Sequence, residues 1–248
     1  MKVLLVRANR NEVDCDALAT VGIDTVIDPY LSITAVPNRE GARALVAKLE
    51  APEKKWLVIT SQNALEFWRS QLPVGALEHA LPEAHAHYAA LGARTAALLK
   101  NLGAPEVTVP DNNTSQRLAD IIAMGPPMPV LLPSGSISMK ALPEALPPKG
   151  FNVYEEVFYI TEATHPAPPS AGKTEQWGID AVLLRSPSAA RAFVEANPLA
   201  QDSLSIICGG PTTARHLRKL GWDPALVSPD PEPTTLAHAV AEHFGVPS

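Results

Sequence analysis

Two stretches of this chain copy each other, and no other feature narrows the possible folds as far. From Leu91 the sequence reads "LGARTAALLKNLGAPEVTVPDNNTSQRLADII"; from Gly209 it reads "GGPTTARHLRKLGWDPALVSPDPEPTTLAHAV". Gly92, Thr95, Ala96 and Gly103 recur as Gly210, Thr213, Ala214 and Gly221 at the same spacing. Each copy runs through an apolar stretch to Pro-Asp (Pro110-Asp111, Pro229-Asp230), then opens a helix with Leu118 or Leu236 on its apolar face. Just upstream, "VITSQNALEFW" parallels "LLRSPSAARAF", aligning Ser61 with Ser186 and Ala64 with Ala189. A repeated unit of this length predicts a repeated architecture.

A second, weaker pair surrounds the first. "LLVRANRNEVDCDALATVGIDTVIDPYL" and "LLPSGSISMKALPEALPPKGFNVYEEVFYI" both read as strand, polar turn, helix, glycine, strand. The order is A–B–A′–B′. Short apolar runs predict strands at 3–6, 25–27, 57–59, 87–91, 107–109, 130–132, 153–159, 181–184, 205–207 and 225–227. Amphipathic runs between them predict helices at 39–49, 62–70, 94–102, 114–124, 187–195, 213–220 and 234–244. Strand–helix alternation at this spacing predicts parallel α/β units, hence two similar parallel-sheet α/β domains. The order alone leaves open whether A pairs with B or with B′. Residues 28–38, "DPYLSITAVPN", and the Pro-rich 163–173, "ATHPAPPSAGK", are candidate crossings, the second extended. If the chain crosses twice, residues 37–164 make a continuous domain and the two chain ends make the other. A cleft between two domains is then the natural ligand site.

Composition excludes several classes of partner. With 20 basic and 26 acidic residues the net charge is −6, so no basic face for nucleic acid is expected. No stretch is long and apolar enough to span a bilayer, and "MKVLLVRANR" reads as a first strand rather than a leader. A cytoplasmic location follows by default. Cys15 and Cys208 have no metal spacing and read as reduced thiols.

Three kinds of polar turn recur at strand ends. One is Thr60-Ser61-Gln62-Asn63 with Ser186-Pro187-Ser188. Another is Gly92-Ala93-Arg94-Thr95 with Gly210-Pro211-Thr212-Thr213. The last is Arg7-Ala8-Asn9 with Ser134-Gly135-Ser136. Ligands of open α/β sheets sit beyond the carboxyl ends of the strands. Helix N-termini there offer unpaired N–H groups and partial positive charge, and glycine lets a ligand approach the backbone. Such turns suit carboxylates or phosphates, although Ser, Thr and Asn at helix starts also serve as plain N-caps. Tyr159 closes the strand-like "YEEVFYI" before the second crossing, where a phenol can face the cleft as a hydrogen-bond donor. Arg7, Arg94, Lys140 and Arg185 lie at or near the turns, and Arg185 is unusual in directly ending an apolar strand. His79, His85 and His87 lack further ligands for a metal site, and no serine has identifiable triad partners. There is no P-loop and no G-x-G-x-x-G.

Taken in order, "VITSQNAL", "ALGARTAALLKNLG", "KGFNVYEEVFYIT" and "CGGPTTARHLRKLG" resemble uroporphyrinogen-III synthase across almost the whole chain. The resemblance implies two α/β domains joined by a two-stranded connector. It pairs A with B′ and B with A′, so residues 1–35 with 168–248 make one domain and 37–164 the other. It implies an enzyme, a cyclising hydro-lyase, that closes the linear tetrapyrrole hydroxymethylbilane with inversion of ring D and loss of water. It implies no metal or cofactor, a monomer, and transient contact with the preceding deaminase. By motif, Tyr159 is the tyrosine that assists departure of the hydroxyl. Thr95, Thr212 and Thr213 are the hydroxyl residues of the glycine turns, Ser61 and Ser186 the paired serines, and Arg7 an arginine of the first strand. With the remaining turn residues Gln62, Asn63, Gly92, Ser134, Gly135, Ser188 and Gly210, these form the expected substrate-binding set.

The chain departs from the family in three places. Arg185 stands where Thr is common before the second serine. Met139 occupies the place of a helix arginine, with only Lys140 close by. The "SGSIS" turn is less basic than usual. The rival reading is a two-domain protein that binds an anionic small molecule or tetrapyrrole without chemistry.

Overall fold

The computed structural model describes residues 1–112, 114–137, 141–201 and 203–246. Met139 and Lys140 therefore lie outside the described residues. The chain forms β1 (Lys2–Leu5), α1 (Asn11–Ala19), β2 (Asp24–Ile27) and β3 (Leu31–Ala35). It continues through α2 (Arg39–Glu50), β4 (Lys55–Ile59), α3 (Gln62–Ser70), α4 (Ala76–Glu83), β5 (Ala86–Ala90), α5 (Ala93–Asn101) and β6 (Val107–Thr108). Then come α6 (Ser115–Ala123), β7 (Val130–Gly135), α7 (Ala141–Ala145) and β8 (Val153–Ala163). The last part holds β9 (Ala181–Leu184), α8 (Pro187–Ala196), β10 (Ser205–Cys208), α9 (Pro211–Lys219), β11 (Leu226–Val227) and α10 (Pro233–Phe244).

These elements make two compact units, Met1–Ile33 with Glu162–Ser248, and Thr34–Thr161. The first unit has the strand order β11-β10-β9-β1-β2, parallel throughout. The second has β6-β5-β4-β7-β8, also parallel, with β3 beside β8 at the edge. The two orders are the same once the repeats are superposed. β1 and β2 correspond to β7 and β8, and β9 to β11 correspond to β4 to β6. Copy A thus shares a sheet with B′, and A′ with B.

Both faces of each sheet's centre are covered, so the inner strands β1, β4, β9 and β10 read as near-continuous apolar runs. Alternate residues go to opposite cores. In the first unit Val3, Leu5, Leu183 and Ile207 pack with Leu18 of α1 and Leu236 and Val240 of α10. Leu4, Val182, Leu184 and Ile206 pack on the other face with Phe193 of α8 and Leu217 of α9. In the second unit Leu57, Ile59, Tyr88 and Leu131 face α2 to α5, while Val58, Ala89, Val130 and Leu132 face Leu118 and Ile122 of α6 and Leu142 of α7.

The predicted elements are present with ends displaced by one to three residues, apart from four larger differences. Residues 28–38 contain β3 rather than only a loop, and β8 runs on to Ala163, well past Tyr159. The chain leaves the first unit after Ile33 and returns after Thr161, inside these two neighbouring strands. Residues 163–173 are not an extended crossing. The Thr164 N–H donates to the Tyr30 carbonyl at 3.0 Å and the Ser170 N–H to Asp28 Oδ2 at 2.8 Å. Ser170 is fully buried, its hydroxyl 2.9 Å from that of Tyr30. A Pro-rich stretch with partners for its remaining polar groups packs as well as any other. The unpredicted α4 buries Leu77, Ala80 and Leu81 at helical spacing, and Pro82 near its end masks the pattern in the sequence. Among the described residues no helix is long and apolar enough to cross a membrane.

Candidate active site

Where β4 ends, Ser61 adopts an extended conformation and its Oγ accepts the Ala64 N–H at 3.0 Å, capping α3. This is the ordinary N-cap role. The same oxygen lies 3.0 Å from the Tyr159 hydroxyl, which makes Ser61 a link between a helix N-terminus and a phenol. Gln62, in the first turn, donates from Nε2 to the Arg94 carbonyl at 3.2 Å, and Asn63 follows it half-buried.

Tyr159 reaches Ser61 because β8 breaks its alternation. Ser134 pairs with Val157, but Gly135 pairs with Tyr159, so β8 carries one extra residue. Such a bulge re-aims side chains. In a regular strand Phe158 and Tyr159 would point to opposite faces. Here both rings meet α3: Phe158 stacks on Trp68 at 6.5 Å and Tyr159 on Phe67 at 5.5 Å. The half-buried Tyr159 ring also fills the space where residue 135 would carry a side chain. A Cβ built on Gly135 would lie 2.3 Å from the Tyr159 Cζ. Gly135 is therefore a seat for the phenol. Ser134 is 1% exposed, with its hydroxyl 3.5 Å from the Glu156 carbonyl, so it sits inside the sheet and not on a ligand-facing surface.

The two glycine turns are alike. Gly92 and Gly210 precede α5 and α9, and neither helix has a side-chain cap. Gly92 has φ −150° and Gly210 φ 167°, extended backbone that any residue adopts. A Cβ at either would meet nothing within 4 Å. The fold thus requires glycine at neither place, and the residues that open the two helices, Ala93 with Arg94 and Pro211 with Thr212, are exposed. Thr95 and Thr213 are 7% and 4% exposed and point into the protein, whereas Thr212 is exposed. Of the three threonines, only Thr212 presents its side chain to solvent.

In the first unit Ser186 caps α8, its Oγ accepting the Ala189 N–H at 3.2 Å, and the Ser188 hydroxyl lies 3.0 Å from it. Arg185 is not solvated. Its Nε donates to Asp14 Oδ2 at 3.0 Å, a second nitrogen donates to Asp14 Oδ1, and Nη1 donates to the Pro231 carbonyl at 2.6 Å. Asp14 is 1% exposed. An arginine can end an apolar strand here because a buried carboxylate receives it. Arg7 stands beside this pair, 3.7 Å from Asp14 Oδ2. Arg94 is exposed on α5. Of the histidines, His87 lies with its ring 4.9 Å from that of Trp56.

Sequence reasoning missed Phe67, the seating of Tyr159 on Gly135, and Asp14. Asp14 left one trace: α1 buries Asn11 and Asp14 in line with Leu18, so two polar residues lie on its core face.

The family model of uroporphyrinogen-III synthase HemD matches residues 15–238. The chain belongs to the uroporphyrinogen-III synthase family. It is an enzyme of haem biosynthesis, and its function is the synthesis of uroporphyrinogen III; nothing favours a non-catalytic binder. Solved structures of this family share its fold. A mutant uroporphyrinogen III synthase of Thermus thermophilus is 19% identical over 99% of both chains, with a TM-score of 0.68. The uroporphyrinogen-III synthetase of Helicobacter pylori is 16% identical over 97% of this chain and 98% of its own, with a TM-score of 0.62. At these identities the likeness is one of architecture.

Proposed function

We propose that this chain is a hydro-lyase in which Tyr159 assists loss of the substrate hydroxyl, and in which the open turns anchor the substrate's carboxylates. The observation that carries the reading is the Tyr159–Ser61 pair at the N-terminus of α3. Hydroxymethylbilane loses its hydroxyl as water, and the pyrroles supply the electrons, leaving an azafulvene. Ring D attacks through its substituted carbon to give a spiro intermediate, which fragments and recombines with ring D inverted. Tyr159 donates a hydrogen bond, then its proton, to the departing oxygen. Ser61 Oγ already accepts the Ala64 N–H, and its own hydrogen is available to the Tyr159 oxygen as negative charge develops there. The partial positive charge at the start of α3 acts in the same sense.

The bilane cyclises unaided to the type I isomer, so the larger part of catalysis is orientation. It carries eight carboxylates, and a protein of net charge −6 must hold them with local donors. The first turns of α5 and α9, behind Gly92 and Gly210, are fitted for this, with Thr212, Ser186, Ser188, Gln62 and Asn63 as further donors. Alanine at Gly92 or Gly210 is expected to leave stability unchanged or raised by about 0.4–1 kcal/mol, since the backbone is compatible. The added methyl should raise KM several-fold. A drop in melting temperature with unchanged KM would show that these glycines serve the fold instead. The reading includes a cytoplasmic monomer supplied by the preceding deaminase.

The test is a coupled assay. Porphobilinogen and a deaminase supply the bilane, this protein is added, and the oxidised uroporphyrin isomers are separated by chromatography. Predominantly type III is expected. Only type I from folded protein would overturn the reading.

A further inference from the structure

Two arginines converge on one buried carboxylate in the first unit. Arg185 engages both oxygens of Asp14 and is held again by the Pro231 carbonyl. Its side chain is 10% exposed and lies across Gly209, where a Cβ would come within 2.7 Å of the Arg185 Cδ. Both oxygens of Asp14 are thereby engaged. A second cation at the same carboxylate is still attracted to it, against a smaller repulsion from the first. Yet Arg7 is kept there, at 3.7 Å, beyond hydrogen-bonding distance, with its side chain 30% exposed. Its backbone is clamped by the buried Asn11, which accepts the Arg7 N–H at 3.2 Å and donates to the Arg7 carbonyl at 2.8 Å. Burial lowers the pKa of the Arg7 guanidinium; Asp14 raises it, and Arg185 and Arg10 lower it further. The cluster of Arg7, Asp14 and Arg185 carries one positive charge in excess, on the guanidinium that is the more open to solvent.

We infer that Asp14 and Arg185 are a positioning pair that holds the Arg7 guanidinium, at the carboxyl end of β1, as a receptor for one substrate carboxylate. Asp14 steadies Arg7 by charge, and Arg185 keeps Asp14 from folding onto Arg7 as its private partner. Arg7 therefore keeps its donors for an anion, in the planar geometry that suits a carboxylate. The inference deepens the reading of the substrate as a polycarboxylate tetrapyrrole and rests on it.

The experiment compares Arg7→Gln, Asp14→Asn, Arg185→Lys and the double variants that join each of the last two to Arg7→Gln. Two readouts are taken: KM and kcat for the bilane, and the dissociation constant of uroporphyrin I, which also carries eight carboxylates, from tryptophan quenching. Arg7→Gln should raise KM and the dissociation constant about tenfold, the scale of one hydrogen bond to a charge, with a smaller change in kcat. Asp14→Asn should raise both several-fold alone and add nothing when Arg7 is already Gln, because it acts through Arg7. Arg185→Lys keeps the charge but loses the two-pronged hold on Asp14; it should raise both by less than Asp14→Asn and add nothing when Arg7 is already Gln, which covers the case in which Asp14→Asn does not fold. Additive effects in the double variants, or an Arg7→Gln protein with unchanged constants, overturn the inference and leave type III synthesis standing. Wild-type protein that binds uroporphyrin I through Arg7 but makes no type III product overturns the synthase reading and leaves the receptor. Neither turnover nor binding overturns both.

Discussion

Tyr159→Phe should leave a folded protein whose kcat for type III product falls about 100-fold, with KM nearly unchanged. The direction follows from what the substitution removes. The ring remains, so the stack on Phe67 and the filling of the Gly135 gap remain. Only the hydroxyl goes, and with it the 3.0 Å link to Ser61. Tyr159 is half-buried, and water can serve Ser61 in its place, so the stability cost should stay near or below about 1 kcal/mol. The magnitude is the lower end of the roughly 10²–10⁴-fold that a positioned proton donor contributes. Loss of the hydroxyl also proceeds without help, which sets a floor under the rate. The product that still forms should remain type III, since orientation is left to other groups. Single-turnover kinetics with isomer analysis reads both quantities. A kcat indistinguishable from wild type would remove Tyr159 from the chemistry; a switch to type I would make it a steering residue instead.

Gly135→Ala should be nearly as damaging to kcat, although residue 135 donates nothing. The added Cβ would lie 2.3–2.7 Å from three atoms of the Tyr159 ring, and no real contact is that short. Gly135 is the last residue of β7, paired with Tyr159 across the bulge, so the backbone cannot simply withdraw. The ring must swing away and give up Ser61 and Phe67. Overpacking of this kind costs about 1–3 kcal/mol, readable in urea denaturation. A double-variant cycle isolates the cause. The nearest atoms to the added methyl all belong to Tyr159, so Gly135→Ala should cost little when Tyr159 is already Ala. Equal stability loss in both backgrounds would mean that glycine serves the strand itself.

Much of this is legible in the sequence because it is local. Apolar runs and helical periodicity place most strands and helices, since these patterns repeat over neighbouring residues. Ser61 and Ser186 are legible as helix starts, because a cap bonds an amide three residues on. The repeats carry the larger architecture, since two copies of one unit must build two similar sheets. Where local chemistry is ambiguous, the pattern misleads. β3 hides in a stretch that ends in Val-Pro-Asn, and the prolines of residues 163–173 point to an extended crossing where the chain in fact packs back onto Tyr30 and Asp28.

What the amino-acid order determined by itself is the alternation of strands and helices, the doubling of the unit, and the polar turns at strand ends. Tertiary structure alone decided what those turns face. Arg185 and Asp14 are 171 residues apart, and no neighbour of either names the other. Tyr159 meets Ser61 only because one extra residue in β8 turns it toward α3, a change of register invisible in an alternating pattern. Short-range order follows from backbone geometry and side-chain period. Partnership across the fold follows from which strands lie side by side, and that is settled only when the sheets form.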